Sequence, residues 1–476
     1  MREKIISLLI GSLPLFGWCQ NVTLTEIIDR ARENNPAVPI ARQSLSTREN
    51  LYQSTKHNYL PKVDVLAGYN YLGEKTRLNI QGEKNNVVNY AAGEFTSSVG
   101  QLYHQITGNT PPPALQQQFY TTSQNILSKL YPDENPEIGK QGSLLAGVFV
   151  RQPLYLGGKL KAAQELASIQ AESGRYNLEN VQDLAAYTAA VEYIQILYTN
   201  SMIAMQEKIV KAQQKNVTYA QNLVKADILP PYMKNWADVA YKQAQTTLQN
   251  LQLTKENSLL ALKSASGMEL ESELLVANKL DENFGIPVFN ENDTKNGDVR
   301  VLQGKLREAE TAEKLSGTIG KPNIFAVGNV QLFRKELPII IPPWMVGIEM
   351  QWSVFDAEKK SRNLSAKALV EETSLLIDQK QKTTELALAT TRNRIVSLKA
   401  QTETLDAARR ETYTTTEMVR KRMENSLSSI KDVNDALQLQ YDAEKLYYTS
   451  LMTLQTAVAT YYFLQGNPVQ ITQHIP

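Results

Sequence analysis

Two stretches of this chain contain almost nothing that breaks a helix. Residues 159 to about 225 hold no proline and a single glycine, Gly174, and the interval from Asp356 to about Asn425 holds neither residue type. Both are rich in Ala, Gln, Glu, Lys, Leu and Thr, mostly strong helix formers. At ~1.5 Å per residue, each predicts one continuous helix on the order of 100 Å long. Apolar residues such as Ile395, Leu398 and Leu405 recur at helical spacing among many polar ones, a stripe that an isolated rod would leave exposed. The helices are expected to bury it by packing laterally in a coiled-coil-like wall.

Each long run is followed by a return. The first stops at Asp227-Ile228-Leu229-Pro230-Pro231, and a helix is expected back from about Trp236 to Ser266, before Gly267. The second turns around Asn425-Ser426-Leu427-Ser428-Ser429 and returns from Asp432 to about Leu464, before Gly466. The upstream segments repeat too. A helix from about Val38 to Tyr59 ends at Pro61, and one from about Asp298 to Ile319 ends at Pro322, because proline lacks the helix donor and biases its predecessor towards extended geometry. A strand follows each of these prolines, and a second strand, from Ser143 or Trp344, leads into each long helix. The chain therefore reads as a tandem duplication of helix, strand, strand, long helix and return helix.

Alternation within the strands separates two faces. Val63, Val65, Ala67, Tyr69 and Tyr71 lie on an apolar side, matched by Ala146, Val148, Val150 and Leu154, by Ile324, Ala326, Gly328, Val330 and Leu332, and by Val346, Ile348, Met350 and Val354. The opposite side carries Asp64, Asn70, Arg151, Asn329, Gln331, Glu349 and Gln351. Such a division suits a membrane β-barrel, and those seven residues are the candidate lumen lining. A soluble pair of hairpins packed on helices is the competing reading. After residue 20 no apolar run reaches eighteen residues, so no spanning helix is expected. Exposed sheet edges in hydrocarbon cost several kcal/mol per unpaired group, and four strands fall short of the roughly eight that close the smallest ordinary membrane barrel. As a membrane wall, the chain must share its edges with copies of itself. Two copies would give about eight strands and three about twelve, and the strands alone allow either.

Composition adds exclusions. With 42% hydrophobic and 21% charged residues and a formal charge of +1, the chain describes neither a nucleic-acid-binding surface nor a disordered tail. Its first residues, MREKIISLLIGSLPLFGWCQ, place Arg2 and Lys4 before an apolar stretch from Ile5 to Phe16. A signal peptide over residues 1–19, cut before Gln20, is expected. Cys19 is the single cysteine, which excludes an intrachain disulfide, and bulky Trp18 disfavours Cys19 as a lipid-bearing first residue. His57, His104 and His474 form no metal-ligand spacing, and Gly157-Gly158-Lys159 lacks the terminal Ser or Thr of a phosphate loop. No cofactor, metal or catalytic chemistry is expected.

The order of these features resembles the outer-membrane efflux protein family, the TolC-like outer-membrane factors. Asn34-Asn35-Pro36, Leu60-Pro61-Lys62-Val63-Asp64, Gln152-Pro153-Leu154-Tyr155-Leu156-Gly157-Gly158-Lys159, and Val354-Phe355-Asp356 ahead of Lys359 carry the resemblance, duplicated over nearly all of residues 21–465. It implies a mixed α and β membrane protein: a homotrimer whose 12-stranded β-barrel, four strands per chain, is continued by a long α-helical barrel. It also implies a bacterial outer-membrane location within outer-membrane lipid, docking to a periplasmic adaptor (membrane fusion) protein, and indirect coupling to an inner-membrane transporter. No nucleic acid is involved. The protein would conduct small molecules passively, with protein or peptide secretion, or a periplasmic coiled-coil scaffold, as alternatives.

The implied layout places N-terminal periplasmic helices at 20–60 and the first strand pair at 61–156, interrupted by a long extracellular insertion at 73–142. The first long helix and its return occupy 157–267, an irregular equatorial connection 268–297, the second-repeat helix 298–321 and the second strand pair 322–355. The last helical pair spans 356–465, before a tail at 466–476. The insertion, with its Asn, Gly, Gln and Thr content and Pro111-Pro112-Pro113, suits an exposed loop or plug that restricts the pore, shields the surface or elaborates it.

At the tips, Asp432-Val433 followed by Asp435 looks like the family's aspartate pair that narrows the periplasmic entrance. The other reading is a helix start capped by Asp432 with a solvated Asp435. Asp238-Val239 repeats the first member in the other hairpin, with Tyr241 replacing the second acid. The family's usual Gly-hydrophobic approach to these turns is missing. Ala226, Asp227, Ile228, Leu229, Pro230 and Pro231, with Asp238, and Asn425, Ser426, Leu427 and Ser428 are the candidate adaptor-docking residues.

Overall fold

The computed structural model describes residues 21–73, 84–129, 141–289, 295–335, 341–425 and 427–475. The expected signal peptide with Cys19, both flanks of the insertion, and Ser426 lie outside them. The first repeat runs α1 (Leu24–Asn34), α2 (Ala37–His57), β1 (Lys62–Tyr71), α3 (Lys84–Thr107), α4 (Pro113–Lys129), β2 (Gly142–Leu156), α5 (Lys159–Lys225) and α6 (Pro231–Ala265). The second runs α7 (Gly297–Ser316), β3 (Asn323–Lys335), β4 (Trp344–Gln351), α8 (Glu358–Glu424) and α9 (Ile430–Leu464), with a final 3₁₀ turn over Pro468–Gln473. Both long helices contain 67 residues and both returns 35. The duplication thus extends to element length.

Two compact units form. One comprises Thr47–Ala171 and Lys305–Thr373; the other comprises Met1–Ser46, Glu172–Gly304 and Ser374–Pro476.

The first unit holds a four-stranded antiparallel sheet in the order β1-β2-β3-β4. Val65 pairs with Val148, Val148 with Val330, and Val330 with Trp344, so the apolar positions of all four strands share one face. That face is bare: Val346 is 75% and Ile348 74% exposed. Register shifts at Ala146/Gly147 and Pro153/Tyr155 interrupt the β2–β3 ladder, and the second lets Pro153, which has no amide hydrogen to donate, sit inside a strand.

The insertion is where structure and composition part. Its described residues form α3 and α4, packed through Val88, Ala92 and Leu127. The hairpin lies on the sheet's other face, where Tyr103, Leu115 and Phe119 bury against Leu145 and Ile341. Helical spacing was present in Val88, Ala92, Phe95, Val99 and Leu102, but amid Asn, Gln, Thr and Gly that favour turns.

The core of the second unit joins α1, α5, α6, α8 and α9 through residues such as Ile28, Tyr193, Leu262, Ile395 and Val458. The irregular connection is a strap on this core. It buries Val276, Leu280 and Phe284, and the Asn200 amide donates to the Val276 and Asn278 carbonyls at 2.8 and 2.7 Å.

The motif at Asn34-Asn35-Pro36 has a structural twin. Asn35 Nδ2 donates to the last carbonyl of α6, Ala265, at 2.7 Å, while its Oδ1 accepts from the Ala37 amide at the start of α2. In the second repeat, Asn296 Nδ2 donates to the last carbonyl of α9, Leu464, and its Oδ1 accepts from the Asp298 amide of α7. One asparagine in each repeat thus satisfies an orphan carbonyl of one helix and an orphan amide of another.

Candidate functional site

The register puts Asp64, Asn70, Arg151, Asn329, Gln331, Glu349 and Gln351 on one face of the sheet. Asn70 and Gln351, near strand ends, are exposed. Glu349 and Asn329 are buried, Glu349 at 6% exposure, on the face that α3 covers. The Arg151 guanidinium stacks 3.7 Å over the Phe325 ring, and its Nη1 donates to the Thr107 carbonyl at 3.5 Å. Tyr103 of α3 stands beside Glu349. Thr107 and Gly108, where α3 ends, line a 290 Å³ cavity with Lys62, Asp64 and Arg151. Arg151 and Glu349 are thus already partnered by the chain's own insertion, whereas Asp64 is exposed.

At the helical tips the missing glycine motif is replaced by equivalent geometry. Asp227 takes a positive φ of 57°. The Asp227 amide donates to the Val224 carbonyl at 3.1 Å and the Ile228 amide to the Leu223 carbonyl at 3.0 Å, the paired bonds of a Schellman helix end. Aspartate tolerates this left-handed conformation better than most non-glycine residues. The α8 end repeats the outer bond, Leu427 amide to Arg422 carbonyl at 2.8 Å. Both turns therefore present one bare hydrophobe, Ile228 at 65% and Leu427 at 64% exposure. Leu229 instead packs with Ala220, Ala237, Met423, Ile430 and Val433. The Tyr219 hydroxyl adds a tie to the Met423 carbonyl at 2.8 Å.

The two return helices begin differently. α6 starts on Pro231 after Pro230, with no side-chain cap, whereas Ser429 and Asp432 form a capping box on α9. Hydrogen bonds from the Ser429 backbone and side chain hold the Asp432 carboxyl below its usual range. Asp435 bonds Lys431 one turn back, and Asp238 pairs with Lys234 at 3.5 Å. Lys159 and Glu358 are 199 residues apart, as are Pro231 and Ile430. This alignment makes Met233 the twin of Asp432 and Leu437 that of Asp238, so the partial aspartate match between hairpins is not a structural equivalence.

Sequence reasoning missed a charged cluster in the same unit. Arg409 of α8, 13% exposed at its side chain, donates to both Glu282 carboxylate oxygens at 3.1 and 3.0 Å and to Asp406 at 2.6 Å. It also faces Glu444 at 3.7 Å and lies 4.1 Å over the Tyr447 ring. Arg409 hydrogen bonding holds Glu282 below the usual carboxyl range, while burial pushes Glu444 up. A lowered folded-state value adds stability above the unfolded carboxyl value of ~4 and loses it as pH falls through the folded value. The raised Glu444 has the opposite sign, losing its contribution as pH rises through its folded value. Below about pH 4 the melting temperature should fall more steeply in the wild type than in Glu282→Gln; parallel profiles would reject the assignment.

Among the described residues, no group of three or more His, Cys, Asp or Glu is placed to hold a metal ion. No described helix is long and apolar enough to cross a membrane.

The fold defined by this sheet and these hairpins is that of solved outer-membrane channels. The Campylobacter jejuni CmeC outer membrane channel superimposes with a TM-score of 0.68 at 13% identity, over 98% of this chain and 93% of that one. The open state of the Neisseria gonorrhoeae MtrE outer membrane channel gives 0.68 at 15% identity, over 94% and 89%. The outer membrane protein VceC from Vibrio cholerae gives 0.67 at 11%, over 93% and 96%. The chain also matches the outer membrane efflux protein family, whose model aligns with residues 115–268. No curated protein matches the sequence.

Proposed function

We propose that this protein is the outer-membrane channel of a tripartite efflux system, conducting small molecules passively to the outside. One observation carries the reading: an open four-stranded sheet with one face apolar and bare, whose outer strands β1 and β4 each have one partner among the described strands. Closing three such sheets into twelve strands would pair every edge and turn the apolar faces towards lipid. Exposed aromatics flank the strands, with Tyr69, Tyr71 and Trp344 near the loop end and Tyr59, Tyr155, Trp352 and Phe355 near the helix end, where barrel girdles meet the interfaces. The helical hairpins would continue the barrel as a periplasmic tunnel. Three copies of Asp432 and Asp435 would ring its entrance with negative charge that favours cations, moderated by Lys431.

Purified from outer membranes, the protein should migrate in detergent as a trimer of the chain beginning at Gln20 and open ion-conducting pores in planar bilayers. A water-soluble monomer without conductance would overturn the reading.

The bare hydrophobes at the tips support adaptor docking. Ile228→Asp combined with Leu427→Asp should reduce co-purification of the periplasmic adaptor about tenfold, a change of ~1.4 kcal/mol, with the trimer intact. Undiminished capture would remove the tips from the docking surface.

A further inference from the structure

We propose that the α3–α4 hairpin is a plug, seated inside the barrel and closing its lumen at rest. This rests on the channel reading above and adds where the conduit is shut.

The hairpin's position suits a plug. The hairpin lies on the face opposite the bare apolar one, so a sheet closed with its apolar face outward would enclose it. Leu102 lies over Gly68, where an added Cβ would stand 3.0 Å from the leucine Cδ1, and the end of α3 lines a cavity together with Lys62, the first residue of β1.

The hairpin's fit suits a plug as well. A wet wall would gain nothing from Leu145 and Met345, yet both lie on the polar face, where they pack in the cluster formed by Tyr103, Leu115, Phe119 and Ile341. They form a seat.

The polar contacts suit release. Arg151 meets the carbonyl end of α3 at the outer limit of hydrogen-bond length, an attraction that the helix dipole assists and that water can replace. Tyr103 and Glu349 make the second polar contact. The seat is specific but held by replaceable bonds.

The test compares single-channel conductance and solute cut-off in planar bilayers for four full-length trimers: wild type, a variant with residues 84–129 replaced by a Gly/Ser linker, the seat variant Leu102→Ala/Tyr103→Ala, and Gly68→Cys/Leu102→Cys. The linker variant should conduct several-fold more than wild type, and the seat variant should open more often, which reads the plug even if the linker variant fails to assemble. Cross-linking the cysteine pair with a cleavable bismaleimide should silence the pore until the linker is cut. Equal conductance and cut-off in wild type and hairpin-less or seat-variant pores would overturn the plug while leaving the channel reading intact. Assembled trimers that form no pore in any variant would overturn the channel reading and the plug with it.

Discussion

Replacing Gly267 by alanine is expected to destabilise the helical unit by about 3 kcal/mol or more. Gly267 follows the end of α6 with φ of +66°, and a Cβ built there would lie 1.9 Å from the Asn34 carbonyl oxygen. No rotamer relieves that overlap, because both groups are backbone. The turn between α1 and α2 must move away from the end of α6, and the Asn35 hydrogen bond to Ala265 is lost with it. Gly466→Ala should behave alike, since its Cβ would lie 2.1 Å from the Lys295 carbonyl oxygen at φ of +78°. Gly285→Ala is the control, with no atom within 4 Å of its added Cβ. Thermal unfolding in detergent, followed by circular dichroism, separates the cases. A Gly267→Ala melting curve that overlays the Gly285→Ala curve would show that this close approach is not required.

Arg409→Ala should cost about 3–5 kcal/mol, the range for removing one partner of a buried charge cluster. The loss exceeds that of a surface ion pair because the guanidinium compensates Glu444, whose side chain is also 13% exposed, and ties Glu282 of the strap to α8. Arg409→Lys should recover part of the stability. An ammonium retains the charge but lacks the planar fork that bonds both Glu282 oxygens and Asp406 while stacking on Tyr447. In a double-mutant cycle with Glu282→Gln, coupling near zero would mean that strap and helix are held independently.

The duplicated helices and the two sheet faces were legible because periodicity and helix breakers act locally. Pro61 and Pro322 marked both strand starts, and alternation placed Val65, Val148, Val330 and Val346 on one side before any pairing was known. What escaped depended on distant partners. Glu282 and Arg409 are 127 residues apart, and neither announces the other. Asn35 was visible as part of a motif, but its bond to Ala265, and the twin from Asn296 to Leu464, require the return helices to end in the right place. At the first tip, absence of glycine suggested a different turn. The backbone keeps the shape because Asp227 accepts the left-handed conformation. In the insertion, polar composition hid a helical apolar spacing whose burial is supplied by the sheet.

The matched lengths of α5 with α8 and α6 with α9 restrict how this chain can vary. Removing one residue from α5 alone would turn everything beyond it by ~100° and draw it back by ~1.5 Å, carrying Ala220 out of the cluster that it shares with Met423 and Val433. A change of length in this fold is therefore a coordinated event, made in all four helices together and in increments near seven residues, two whole turns. The hairpins behave as a ruler with a fixed graduation. Substitutions accumulate freely along their outer faces, but the separation between the asparagine clasps and the hydrophobic tips changes only in discrete steps.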